Sequence, residues 1–336
     1  MTYSLKIDCY AHILPLKYKE ALYRLAPPSP RQKKNIDTLV TLFDMDARFR
    51  LMDKYDGLTH VIVPSYPPFE DIDDLQTSID LARICNDEIA EFVLKYPDRF
   101  VAGVAGLPMK DMEATLKEVD RAIKDLKLRG VLIYTPLNDK PLDSLELIPL
   151  YEKMSQYHLP IWIHPKRAPD YADYRTESKS LYEASRIYGW PYETTTAMHR
   201  LVYSGILQRY PGLNFITHHC GGMVPYLVDR IIGFYDLSEM RRHGDYPTEL
   251  TKHPIEYFKS FYNDTALYGN TAALMCGCAF FGADHLLFGT DFSHDNQLGD
   301  RYTRQTINAI EQMAISDGDK KKILEDNARN LLRLPV

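Results

Sequence analysis

The sequence predicts a single domain over residues 1–336, folded as a distorted (β/α)8 TIM barrel. Short apolar runs alternate about eight times with longer amphipathic segments, which is typical of a parallel sheet with helices between its strands. No shift in composition marks a domain boundary. The 336 residues also suit a barrel with insertions. A doubly wound open sheet is the alternative.

Each predicted strand is a short run rich in apolar or β-branched residues, and Gly or Pro ends several of the neighbouring segments. The predicted strands are residues 5–7, 58–63, 100–107, 131–134, 159–164, 213–218, 261–264 and 285–289. The predicted helices are residues 37–55, 75–96, 112–126, 144–157, 192–208, 224–235 and 270–281, followed by a helical C-terminal region. Three longer stretches are predicted to be loops above the strand ends, at about 16–50, 166–192 and 236–256.

Composition excludes several classes of protein. The net charge is −6 without a basic block, which argues against nucleic acid as a partner. No apolar run approaches the roughly 20 residues that cross a bilayer, and the N-terminus lacks the pattern of a signal peptide, so we expect a cytoplasmic protein. Five cysteines in apolar patterns predict reduced thiols. No glycine-rich phosphate-binding motif follows a strand.

Four metal-binding side chains fall at the ends of predicted strands. They are His12, His164, His219 and Asp291. In a barrel of parallel strands the carboxyl ends meet at one face and carry the active site. Imidazoles with a carboxylate suit Zn²⁺ or another first-row divalent cation. Each residue alone is explained equally well as a buried polar side chain, but together the four favour a metal site.

Five segments resemble one family along nearly the whole chain. The chain is similar to decarboxylases and hydrolases of the amidohydrolase superfamily, in the amidohydrolase-related group that is like aminocarboxymuconate-semialdehyde decarboxylase (ACMSD). The segments are IDCYAHILP (7–15), LPIWIHP (159–165), GWPYET (189–194), ITHHCGGMVPYLVDRI (216–231) and LLFGTD (286–291). The resemblance implies a distorted (β/α)8 barrel, frequently a homodimer, with one metal ion. It puts His12, His164 and Asp291 on ligand positions and His219 on the catalytic histidine.

One departure from the family concerns Tyr10. Many members open with HxH, whereas this chain has Tyr10-Ala11-His12. A phenol with a pKa of about 10 is a poor ligand unless the metal deprotonates it. Tyr10 therefore has three open roles: ligating the metal, hydrogen-bonding substrate, or filling space.

Further candidates for binding substrate come from the same resemblance. Arg230 and Arg48 match family arginines, and a guanidinium holds a carboxylate through two hydrogen bonds. Trp190 is a candidate pocket wall, and His294 lies on a loop over the predicted mouth. Packing or a surface position explains each of them as well. His218 is left out, because strand alternation predicts that it faces away from His219.

The function predicted from these residues is metal-assisted, nonoxidative decarboxylation of a small aromatic or unsaturated carboxylic acid. A hydroxylated acid is the expected substrate. The metal is one divalent ion, Zn²⁺ first and Mn²⁺ second, and Asp291 or His219 handles the proton. One alternative is hydrolysis of an amide or lactone, or hydration, at the same site. Another is a barrel that lost its metal through Tyr10 and binds a small-molecule ligand or a partner.

Overall fold

Parallel strands form the centre of the molecule. The computed structural model describes residues 5–168, 170–241 and 250–335. Neighbouring strands pair in the order β1-β2-β3 and β4-β5-β6-β7-β8-β9. The strands are β1 (Lys6–Ile13), β2 (Leu58–Pro64), β3 (Phe100–Gly103), β4 (Ala105–Gly106), β5 (Val131–Thr135), β6 (Ile161–Pro165), β7 (Phe215–Thr217), β8 (Tyr262–Asp264) and β9 (Leu286–Leu287).

Two junctions close these strands into a barrel. β3 and β4 share one strand position interrupted at Val104, whose N–H donates to the carbonyl of Ile62 at 3.0 Å and so joins the two sheets. At the other junction the N–H of Cys9 donates to the carbonyl of Phe288 at 2.8 Å, which joins β1 to the segment after β9. Eight strand positions therefore surround a common interior. The predicted distorted barrel is confirmed, and the open sheet is rejected.

Helices cover the outside of the barrel. They are α1 (Leu16–Leu25), α2 (Pro30–Thr38), α3 (Met45–Met52), α4 (Leu75–Lys95), α5 (Met112–Lys124), α6 (Ile148–Tyr157), α7 (Trp190–Tyr203), α8 (Ile206–Arg209), α9 (Val228–Arg241), α10 (Pro254–Phe258), α11 (Thr271–Phe281), α12 (Asp300–Glu311), α13 (Asp317–Lys321) and α14 (Asn327–Leu332). No helix within the three described ranges has the length and apolar character needed to span a membrane.

Side-chain caps fix where several helices begin. The carboxylates of Asp74 and Asp111 and the amide oxygen of Asn270 each accept a hydrogen bond from the backbone N–H three residues later. These bonds satisfy N–H groups that have no partner inside the helix. α4, α5 and α11 therefore start directly after the capping residue.

The predicted long loops differ from one another in the structure. The stretch 16–50 contains α1, α2 and most of α3, so the predicted helix over 37–55 was too long and the predicted loop is largely helical. Residues 170–184 are mostly irregular. In the third loop, residues 236–241 continue α9, and residues 242–249 lie outside the described residues.

A bulge in β1 sets the direction of its side chains. The register with β2 shifts between Asp8 and Ala11, and the adjacent residues Cys9 and Tyr10 both pack in the cluster inside the barrel. A bulge of this kind redirects the side chains that follow it. Tyr10 consequently points into the barrel interior, and His12 points to the cavity at the open end.

Asp8 joins β1 to the segment after β9 through hydrogen bonds. Its carboxylate accepts hydrogen bonds from the N–H of Tyr10 at 3.0 Å and from the N–H of Thr290 at 3.2 Å, and the Thr290 hydroxyl also donates to it. Asp8 is completely buried, so these donors have no access to water. This agrees with a structural role for Asp8.

Replacing Asp8 by alanine is expected to lower the free energy of unfolding by about 2–4 kcal/mol, because two buried N–H groups and a hydroxyl lose their acceptor. Urea unfolding in the presence of a chelator, followed by tryptophan fluorescence, measures the change. Asp98 is an exposed aspartate, and D98A serves as the matched control. Equal unfolding free energies for D8A and D98A would contradict the role given to Asp8.

Candidate metal centre

A cavity of about 1220 Å³ opens at the carboxyl ends of the strands. Its walls include five of the residues predicted from the sequence: His12, His164, Trp190, Asp291 and His294. His12 belongs to β1, His164 to β6, and Asp291 follows β9. Distant parts of the chain therefore line one cavity.

The barrel fixes one nitrogen of each of three imidazoles. His12 Nδ1 lies 3.2 Å from the carbonyl of Pro64, and His164 Nδ1 lies 2.7 Å from the carbonyl of Pro165. His218 Nδ1 is hydrogen-bonded to the carboxylate of Asp264. A bond at Nδ1 leaves Nε2 as the nitrogen available for a metal, and such partners orient metal-binding histidines in known sites.

The free nitrogens face Asp291. His12 Nε2 lies 3.4 Å, and His218 Nε2 3.5 Å, from Asp291 Oδ1. The two ring nitrogens are buried without a hydrogen-bond partner among the described residues. Two ligand atoms about 2.1 Å from one tetrahedral ion lie about 3.4 Å apart. The donor set therefore fits a divalent cation, which would satisfy the unpartnered nitrogens.

His164 completes the cluster. One ligand atom from each of His12, His164 and His218 lies within 4.8 Å of the others. Burial lowers the pKa of His12 and of His164, so both imidazoles are neutral at pH 7, as metal binding requires. Burial also lowers the pKa of His218, but Asp264 and Asp291 outweigh it and raise that pKa to about 10. The two carboxylates thus favour positive charge here, either a proton or a cation.

The prediction that His218 faces away from His219 was wrong. β7 ends at Thr217, and His219 has a left-handed backbone with φ 55°. Strand alternation therefore does not extend past residue 217. The rings of His218 and His219 lie 3.8 Å apart between centroids, and each residue offers a possible ligand atom beside Asp291.

A chain of hydrogen bonds connects His219 with Asp291. His219 Nε2 lies 3.1 Å from the hydroxyl of Tyr268, which donates to Asp291 Oδ2 at 3.1 Å. Burial and the adjacent His218 lower the pKa of His219 to about 3, so this imidazole is neutral at pH 7. Tyr268 was not predicted. Tyr268 lies four residues after Asp264, the last residue of a predicted strand. The strand-end position of Asp264 was therefore the one feature of the sequence that could have pointed to this part of the site.

Three residues of the cluster have an unusual backbone conformation. His219, Tyr268 and Asp291 all have positive φ, between 52° and 61°. Residues other than glycine adopt this region at a cost, and such strain clusters at active sites where the surrounding structure enforces it. The fold thus holds these three side chains in positions that a relaxed chain would avoid.

Tyr10 lies beneath the cluster and away from the cavity. It is completely buried, its hydroxyl donates to the carbonyl of Ile163 at 3.3 Å, and its ring stacks on that of His218 with centroids 4.0 Å apart. Burial raises its pKa well above the usual value. Of the three open roles, the structure favours packing.

The two predicted arginines do not reach the cavity of this chain. Arg48 is completely buried, and its guanidinium donates to the carbonyl of His12 at 2.8 Å and contacts the ring of His60. It therefore supports the ligand strand from behind rather than binding substrate. Arg230 lies on the exposed side of α9, over the ring of Phe234.

Trp190 and His294 both line the cavity. The Trp190 ring centroid is 5.5 Å from that of His164, so the indole forms a wall beside the cluster. His294 Nδ1 is 3.5 Å from Asp291 Oδ1, and about a third of its side chain is exposed at the mouth. Both residues can contact a molecule above the cation site.

Comparison with known proteins identifies relatives of this chain. The family model described as Amidohydrolase matches residues 7–334. Gamma-resorcylate decarboxylase of Polaromonas sp. (strain JS666) is 33% identical over 301 residues, covering 86% of this chain and 87% of that protein. The 2-amino-3-carboxymuconate-6-semialdehyde decarboxylase of Dictyostelium discoideum is 27% identical over 346 residues, covering 98% and 92%.

A solved structure extends the likeness to three dimensions. The crystal structure of dihydroxybenzoic acid decarboxylase from Polaromonas sp. JS666, with bound manganese and the inhibitor 2-nitroresorcinol, has a TM-score of 0.77 and 27% sequence identity. The match covers 98% of this chain and 97% of that one. The resemblance found in the sequence is confirmed: the chain belongs to the amidohydrolase family.

Proposed function

We propose that this protein is a metal-dependent, nonoxidative decarboxylase of a small hydroxylated aromatic carboxylic acid. The observation that carries the proposal is that His12, His164 and Asp291 line one cavity, with 3.4 Å between His12 Nε2 and Asp291 Oδ1 and with His12 and His164 in one cluster of possible metal ligands. The decarboxylases among its relatives support this reaction over hydrolysis or hydration.

The cation is proposed to be Zn²⁺ or Mn²⁺, held by His12, His164 and Asp291. Imidazole and carboxylate donors suit both ions, and the manganese in the related crystal structure supports Mn²⁺. When bound, the ion supplies a Lewis acid that can hold a carboxylate and an adjacent phenolic oxygen.

The reaction replaces a carboxylate by a proton. The ring carbon that bears the carboxylate gains a proton, the bond to the carboxylate carbon then breaks, and its electron pair restores the aromatic ring as carbon dioxide leaves. An ionised acid and one proton thus give an arene and carbon dioxide. No oxidant or reductant is required.

The cavity walls suit a flat substrate. Trp190 and Tyr134 both line the cavity beside His164, with ring centroids 5.5 Å and 5.1 Å from its own. Aromatic rings pack well in offset or edge-to-face arrangements. We propose that these two side chains, with His294 at the mouth, position the substrate ring above His12 and Asp291.

His219 and Asp291 are proposed to handle the proton, and Tyr268 positions them. The hydroxyl of Tyr268 lies 3.1 Å from each of them. With Tyr268 donating to Asp291, the geometry puts the proton of neutral His219 on Nε2 and leaves Nδ1 without one. His219 Nδ1 is buried and has no hydrogen-bond partner among the described residues, so it can take part in proton transfer to or from a bound substrate.

A homodimer is also proposed. Arg230 is exposed and lies outside the cavity of its own chain, whereas the resemblance places an arginine here that can act in the site of the neighbouring subunit. Its guanidinium could then bind a carboxylate across the interface.

The first test is release of carbon dioxide from a panel of hydroxybenzoates that includes 2,6-dihydroxybenzoate. Turnover is expected with the metal-loaded enzyme, to stop after chelation, and to return with Mn²⁺ or Zn²⁺, because the donor cluster needs a cation to bind the substrate oxygens. A parallel panel of amides, lactones and unsaturated acids tests hydrolysis and hydration.

Two results would contradict this function. Turnover of the second panel without carbon dioxide release would favour a hydrolase or hydratase. A purified protein without metal, inactive after addition of Zn²⁺ or Mn²⁺, would favour a barrel that only binds a ligand.

A second test replaces His219 by asparagine. The kcat for decarboxylation is expected to fall by about 100- to 10,000-fold, the range for loss of a general acid or base, with the metal content unchanged. His199 is an exposed histidine on α7, and H199N is the matched control. Equal kcat values for H219N and H199N would remove His219 from the mechanism.

A further inference from the structure

His218 occupies a place in the site that the sequence pattern does not predict. Its imidazole is completely buried, and Nε2 has no hydrogen-bond partner among the described residues. Nε2 nevertheless lies 3.5 Å from Asp291 Oδ1. A buried, unpartnered nitrogen 3.5 Å from a carboxylate oxygen calls for a cation or a proton between them.

We infer that His218 is a ligand of the metal and, with His12, His164 and Asp291, completes a site of four protein donors. The inference rests on the proposed metal-dependent function. It also accounts for the opening motif Tyr10-Ala11-His12, in which a tyrosine stands where many relatives have a histidine. The donor missing from β1 is supplied from the end of β7.

The distances support one shared ion. The ligand atoms of His12, His164 and His218 lie within 4.8 Å of one another, and the ring centroids of His164 and His218 are 5.2 Å apart. The separations of 3.4 Å and 3.5 Å from Asp291 Oδ1 to His12 Nε2 and His218 Nε2 match the spacing of about 3.4 Å between neighbouring donors on one tetrahedral ion.

Asp264 holds His218 in the orientation that a ligand needs. Its Oδ2 is hydrogen-bonded to His218 Nδ1, and its Oδ1 accepts from the N–H groups of Cys220 at 3.2 Å and Ala266 at 3.0 Å. The carboxylate is therefore fixed by three donors on two segments. A carboxylate at Nδ1 increases the basicity of Nε2 and orients the ring, as outer-shell partners do in metal sites.

Tyr10 supports the ring of His218 instead of binding the ion. The two rings stack with an interplanar angle of 10°, and the Tyr10 hydroxyl is directed to the carbonyl of Ile163. Adding Cβ to Gly289 would bring it 2.8 Å from Asp264 Cβ and 3.2 Å from Tyr10 Cβ. Glycine at 289 thus leaves room for Asp264 and Tyr10 beside the backbone at this position.

A rival explanation is that His218 carries a proton and forms a buried ion pair with Asp264 and Asp291. The two explanations make different predictions. A ligand contributes to metal affinity and appears in the coordination shell, whereas a protonated imidazole does neither. Measurements on the metal therefore separate them without any assay of activity.

The decisive variant is H218N. The asparagine side chain has an amide N–H that can replace Nδ1–H of the histidine and keep the hydrogen bond to Asp264. It has no atom equivalent to Nε2, so it cannot bind the metal there. Wild type, H218N, H12N as a positive control and Y10F as a matched control are loaded with Zn²⁺. Metal per chain is measured after gel filtration, and the dissociation constant by competition with a chelator. Thermal unfolding of the metal-free proteins checks that each is folded.

The expected results are one zinc ion per wild-type chain and a dissociation constant for H218N raised by more than about 100-fold, beyond the effect of losing an outer-shell partner. H12N should lose zinc similarly, and Y10F should retain it. X-ray absorption at the zinc edge of wild type, which needs no variant, should count three imidazoles.

Two outcomes would overturn the inference. In the first, wild type binds zinc through only two imidazoles and H218N binds zinc with unchanged affinity. This result would show that His218 is not a ligand, and the metal-dependent function would still stand. Wild type that binds no zinc and no manganese would remove both the ligand set and the proposed function.

Discussion

The chemistry of this barrel depends on which nitrogen of each buried imidazole is left free. Carbonyls of Pro64 and Pro165 hold Nδ1 of His12 and His164, and the carboxylate of Asp264 holds Nδ1 of His218. Nε2 of His12 and Nε2 of His218 thereby lie 3.4 Å and 3.5 Å from Asp291 Oδ1, and His164 lies beside both. The strands supply these acceptors, so the strand pairing that forms the barrel also orients the three imidazoles. The bulge in β1 directs His12 to the cavity, and the hydrogen bonds of Asp8 join β1 to the segment after β9.

Much of this arrangement follows from simple patterns in the sequence. Alternating apolar strands and amphipathic helices predict the barrel, because a parallel sheet needs crossover helices. His12, His164 and Asp291 were predicted to lie together because barrels carry their active sites at strand ends, and all three line the cavity. Trp190 and His294 were candidates from the family resemblance instead. The barrel and the strand-end residues are predicted from local periodicity and from the direction of the strands.

The remainder depends on contacts that local patterns do not encode. His218 was assigned to the wrong side because alternation holds only within a strand, and the left-handed residues after β7 end it. Arg48 was expected at the substrate, but its guanidinium lies under β1, where it binds a carbonyl. Residues 16–50 form several helices whose packing, rather than their periodicity, decides their limits. In each case tertiary structure overrides the local signal.

The central claim is that donors from β1, β6 and the end of β9 share one cation. The most direct measurement is an anomalous difference map from crystals grown with Mn²⁺ or Zn²⁺, recorded across the absorption edge of the metal. The account predicts one peak within about 2.3 Å of His12 Nε2, His164 Nε2 and a carboxylate oxygen of Asp291. A metal-loaded crystal with no peak there, or with its peak elsewhere in the barrel, would contradict it.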